Sequence, residues 1–71
     1  MRIKFEEKYT TWCWIAEMPT VPRIGEEINK YSNDHKRVFK VTNVKYVLDK
    51  TDEEKIYTTY DVVVEVGEVV Y

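Results

Sequence analysis

From Ile56 to Val66 the chain reads Ile-Tyr-Thr-Thr-Tyr-Asp-Val-Val-Val-Glu-Val, and its even positions are apolar or aromatic apart from Thr58. Odd positions carry Tyr57, Thr59, Asp61 and Glu65, with Val63 the one apolar exception. A repeat of two places one set on each face of a strand, whereas a helix would scatter these valines around its circumference. The segment therefore predicts a half-buried β-strand, and the chain a small all-β domain.

The remaining strands follow from the same periodicity. Ile3 and Phe5 face away from Arg2, Lys4 and Glu6, which gives a strand near 2–7 ahead of a polar turn at Glu7-Lys8. Residues 9–18 are rich in β-branched and aromatic types. Trp12, Trp14, Ala16 and Met18 share one face of that strand, and Thr11, Cys13, Ile15 and Glu17 the other. Pro19 and Pro22 end it, since neither donates to a ladder. A turn at Gly25 leads into a strand near 26–31, and Asn33-Asp34 tolerates the left-handed backbone of a tight turn.

In the strand near 37–48 the apolar phase slips. Phe39 and Val41 are odd, whereas Val44, Tyr46 and Leu48 are even. One extra residue near Thr42-Asn43, a β-bulge, keeps both sets on one core and bends the strand. The charged stretch Asp49–Lys55 joins this strand to one near 55–66 as a hairpin; a brief helical turn at Asp52-Glu53-Glu54-Lys55 is the alternative, and a solvated loop is the preferred reading. Gly67 interrupts that last strand, leaving Val69-Val70-Tyr71 to continue it or pair elsewhere. The expected interior is Ile3, Phe5, Phe39, Val41, Val44, Tyr46 and the even-numbered valines near the C-terminus. The architecture expected is a single domain over 1–71: a five-stranded, mostly antiparallel barrel or rolled sheet with a bulged fourth strand.

The succession Met18-Pro19-Thr20-Val21-Pro22-Arg23-Ile24-Gly25-Glu26-Glu27-Ile28, then Phe39 to Tyr46, then the valine-rich strand, resembles small SH3-like β-barrel proteins. Many of these are uncharacterised proteins of gut bacteria and their phages or mobile elements. The resemblance covers most of the chain after residue 18 and rests on fold-forming residues. It implies a small barrel and brings no active site with it. The strand around Trp12-Cys13-Trp14 lies outside the shared pattern.

Charge and cysteine content narrow the function classes. Eleven basic residues against 13 acidic leave a net charge of −2, which gives no electrostatic reason to expect nucleic acid or an anionic membrane as partner. Cys13 is the single cysteine, so no intrachain disulfide forms. No apolar run approaches the roughly 20 residues of a membrane helix, and residues 1–8 lack a signal-peptide core. A cytoplasmic protein is expected.

No residue pattern builds a catalytic, cofactor or metal site, so the chain is not expected to be an enzyme. His35, the only histidine, reads as an exposed loop residue without the partners that ligation or base catalysis requires. Cys13 reads as a small buried or half-buried hydrophobe, because a nucleophile needs a nearby base. The acidic groups Glu6-Glu7, Glu26-Glu27 and Asp52-Glu53-Glu54 lie at turns, where charge serves solubility. The aromatics are more informative. Trp12, Trp14, Tyr31, Tyr46, Tyr57, Tyr60 and Tyr71 are read first as core or subunit-interface groups. Trp12, Trp14, Tyr57, Lys40 and Lys45 form the candidate interaction surface. A non-enzymatic interaction or accessory module, with a protein partner or a second copy as in a homodimer, is the leading reading. A small-barrel nucleic-acid binder using exposed aromatics and lysines is the alternative.

Overall fold

The computed structural model describes residues 1–70. It contains β1 (Arg2–Glu7), β2 (Cys13–Glu17), β3 (Glu27–Ser32), β4 (His35–Tyr46), α1 (Asp52–Tyr57) and β5 (Val62–Glu68). The strands form one sheet in the order β2-β1-β5-β4-β3. Three of the four pairings are antiparallel, but β1 and β5 run parallel, Ile3 beside Val62 and Phe5 beside Val64. The sheet is thus mixed. A period-two pattern is the same for either direction, so the chain's route, not the local pattern, sets the β1–β5 orientation.

One face of this sheet is the core. Ile3, Phe5, Phe39, Val41, Val62, Val64 and Val66 are all buried, with Trp14, Ala16, Met18, Val21, Ile28 and Val44 packed around them. The sheet curls so that its two edge strands turn toward each other. Trp14 of β2 stacks on Phe5 at 5.2 Å and meets Phe39 of β4 at 5.2 Å with a tilt of 47°. Its ring also lies under the Lys30 ammonium of β3, at 5.2 Å. Side chains, not backbone hydrogen bonds, span the gap between β2 and β3. The result is a half-barrel.

The bulge appears where the phase slip predicts it. Val41 pairs with Val66 and Asn43 with Glu65, which leaves Thr42 as the extra residue. Its hydroxyl lies 2.8 Å from Glu65 Oε1, and Asn43 Oδ1 accepts from the Val44 N–H at 3.0 Å. Phe39, Val41 and Val44 consequently share the core. Tyr46 does not: it is 63 % exposed although it pairs with the buried Val62 at the end of the β4–β5 ladder.

Three other expectations require correction. The strand expected over 55–66 begins at Val62, and residues 52–57 are helical. Thr51 caps that helix, accepting from the Glu54 N–H while the Glu54 carboxylate reaches back to the Thr51 N–H. This reciprocal cap and the acidic first turn overrode the accidental alternation of Ile56 to Tyr60. Gly67 lies within β5 and does not interrupt it. Val69 adds one further bond to Val38, and Tyr71 lies outside the described residues.

The strand expected over 9–18 is shorter. Residues 8–11 form a turn, closed by the Glu7 N–H donating to the Trp12 carbonyl at 2.9 Å. Thr10 Oγ1 donates to the Glu7 carbonyl and accepts from the Trp12 N–H. Tyr9 adopts φ 67° there. Two other turns fall where the sequence places them: Asn33 and Asp34 take φ 47° and 67°, and Gly25 takes φ 93°. Gly25 then donates to the Val41 carbonyl at 2.9 Å, bringing the start of β3 alongside β4.

Candidate functional site at the mouth of the half-barrel

Core-facing positions change character toward one end of the sheet. Along β1 they run Ile3, Phe5, Glu7; along β5, Val62, Val64, Val66, Glu68; along β4 in reverse, Val41, Phe39, Arg37; along β3, Ile28, Lys30. The apolar interior therefore ends in a charged layer. Arg37 organises it, donating from Nη2 to Glu7 Oε1 at 2.8 Å and from Nε to Glu68 Oε2 at 2.5 Å. Its guanidinium lies 4.8 Å over the Phe39 ring, capping the core beneath.

Glu7 is only 9 % exposed. A carboxylate so buried must keep a counter-charge, and Arg37 is that charge. The Glu7 Oε2 atom is buried and has no hydrogen-bond partner among the described residues. Such atoms are uncommon in folded proteins. The Arg37 hydrogen bond holds the Glu68 carboxyl below its ordinary range, and the two carboxylates hold Arg37 above its own.

Above this layer lies a cleft of about 390 Å³ bounded by Glu7, Trp12, Cys13, Trp14, Lys30, Ser32, His35 and Arg37. Trp12, 70 % exposed, forms one wall, held by the Thr10 turn. Lys30 lies across Trp14 and pairs with no carboxylate among the described residues. Lys36, also exposed and without such a pair among the described residues, shares the outward parity of Lys40 and lies on the convex face. Cys13, expected to be buried or half-buried, is exposed, because its side chain takes the outward parity of β2 opposite Trp14. Cys13 and His35, remote in sequence, both border the cleft, but no hydrogen bond joins them among the described residues. No group of three or more metal-ligating side chains occurs among those residues.

Comparison with family models, with curated proteins and with solved structures found no match.

The five residues singled out from the sequence fall on different parts of this molecule. Trp12 and Trp14 meet at the mouth. Lys40 and Lys45 are exposed on the convex face of β4, and Tyr57 is exposed on α1. Sequence reasoning placed Glu7 in a solvated turn, whereas it ends β1 nearly buried, and it missed Lys30, Arg37 and Glu68. The signal for them was present: each continues the inward parity of its strand, and a charge at a core-facing position needs a partner.

Proposed function

We propose that this protein is a non-enzymatic interaction module of the SH3-like barrel type, an accessory protein of the kind phages and mobile elements of gut bacteria carry. Its contact surface is the mouth of the half-barrel. One observation carries this reading: an exposed tryptophan and a second tryptophan beneath a lysine that pairs with no carboxylate among the described residues converge on one open cleft. Exposed aromatics beside desolvated charge are the side chains that dominate protein contact energies. Because Lys30 at the rim pairs with no carboxylate among the described residues, the partner is an acidic segment bearing aromatic or aliphatic side chains.

The nucleic-acid alternative has weaker support. Base stacking and a track of cations must share one groove, yet Lys40 and Lys45 sit on the convex face, away from the tryptophans. Titration of isotope-labelled protein with acidic, basic and neutral aromatic peptide pools tests the proposal. The acidic pool should move the Trp12 and Trp14 indole signals and the Lys30 amide, and Lys30→Glu should abolish the response. No movement with any pool at about 1 mM, the weakest affinity worth calling recognition, would remove this reading.

A further inference from the structure

The half-barrel leaves a seam open between β2 and β3, and the backbone of β2 faces into it. In an antiparallel ladder the bonded pairs fall at every second residue. Along β1 and β2 the two ends of that alternation are fixed: Glu7 donates to the Trp12 carbonyl at 2.9 Å, and Met18 to the Met1 carbonyl at 3.0 Å. In the register between them Phe5 lies beside Trp14 and Ile3 beside Ala16, so Trp14 and Ala16 turn their backbone groups to β1. Cys13, Ile15 and Glu17 turn theirs to the open edge, and no hydrogen bond among the described residues takes up their N–H and C=O groups. All three residues are exposed.

Exposed edges are ordinarily protected by charge, proline or a bulge. The other edge strand has such protection, since Lys30 stands at an inward-facing position of β3. β2 has none. From Cys13 to Ala16 it carries no charge and no proline, and no register shift interrupts its pairing with β1. Ile15, in its middle, is 44 % exposed. An unpaired apolar edge of this kind is a template for an added strand.

The space beside that edge decides the occupant. No Cα of β2 lies within 8 Å of a Cα of β3. Paired strands lie about 4.8 Å apart, so one strand set between two others needs about twice that. Trp14 and Lys30 meet beneath the opening at 5.2 Å, which limits its width. The seam is thus scaled to a single strand, and a second copy pairing through its own β2 would bring its β1 onto β3. We propose that an extended segment of a partner protein adds to the free edge of β2, with apolar side chains at alternate positions resting on Trp14, Ala16 and Ile28. The cleft is its point of entry, bordered by Cys13 and Trp14 of β2 and by Lys30 and Ser32 of β3. This rests on the reading of the mouth as the contact surface. Because main-chain bonds supply the affinity, the edge accepts many sequences that keep the alternation.

Amide exchange tests this with a capped peptide of about eight residues, within the usual strand length, alternating valine with threonine or glutamate. In the free protein the Ile15 and Glu17 amides should exchange at least about tenfold faster than those of Trp14 and Ala16, which are bonded to β1. About 1 mM peptide should slow them about tenfold, as a Kd near 0.1 mM gives, and an analogue methylated at every backbone nitrogen should do nothing. Ile15→Pro removes one outward donor and leaves the β1 ladder its bonds, as prolines on edge strands do. It should stay folded and lose the response, with Cys13→Pro a second such variant should Ile15→Pro unfold. Wild-type amides that the peptide does not slow, or that the methylated analogue slows equally, overturn the proposal. So does protection in the free protein that fades on dilution, since a second copy would then hold the edge. If the acidic peptide pool moves the Trp12 and Trp14 indole signals without slowing these amides, the mouth reading stands and only the strand addition fails.

Discussion

Arg37 is the residue on which the charged layer depends. Among the described residues it is the one counter-charge of the nearly buried Glu7 carboxylate, so its removal strands Glu7 while sparing the apolar core. Arg37→Met should destabilise the fold by about 1–3 kcal/mol, the range for leaving a buried acceptor unsatisfied. In the Glu7→Gln background the same change should cost clearly less, because the stranded charge is gone; additivity in this denaturation cycle would contradict the pairing. Acid gives an independent readout. Folding depresses the Glu68 carboxyl, so its contribution is present above the unfolded value of about 4.3 and is lost as pH falls through the lower folded value. Glu68→Gln should flatten the acid limb of stability against pH below about pH 4. These residues were legible in principle: Glu7, Arg37 and Glu68 keep the parity of Phe5, Phe39 and Val66. What sequence could not supply is which charge meets which, since the three lie on three different strands.

Among the elements, α1 and the bulge show opposite relations between local pattern and outcome. The bulge at Thr42 is required by the core, because without the extra residue Val44 would face solvent. A phase slip in a strand has few other remedies, and it was therefore readable. The helix answers to no core. Its signature, Thr51 followed three residues later by Glu54, competed with an alternation of Ile56, Thr58 and Tyr60 that buries little. Thr51→Ala should destabilise α1 locally by about 1 kcal/mol, the usual worth of an N-cap. Because α1 has no buried residue, the melting temperature should hardly move while amide exchange at Lys55 and Thr58 accelerates. A large fall in melting temperature would show that α1 supports the fold.

At the scale of the whole molecule, the two tryptophans of one segment have separate roles. Trp14 spans the seam between the edge strands, touching Phe5, Phe39 and Lys30. Trp14→Ala should cost about 3 kcal/mol, as for other large aromatic truncations, a large share of the stability available to a domain of this size. Trp12→Ala should stay within about 0.5 kcal/mol, as exposed substitutions do, while removing one wall of the mouth. Equal losses in thermal or urea unfolding would mean that the seam is held elsewhere.

The sequence by itself determined the mainly β character, the inward set around Ile3, Phe5, Phe39 and the valines at 62, 64 and 66, the turns at Gly25 and Asn33-Asp34, and the bend at Thr42. Each is fixed by local sterics or by a period of two that one buried face enforces. Only the tertiary structure decided that β1 and β5 run parallel, that Trp14 closes the half-barrel while Trp12 stays outside, and that Glu7, Lys30 and Arg37 share a cleft. Those outcomes depend on which strands become neighbours, a choice made by the chain's path and the shared burial of distant residues rather than by any one segment.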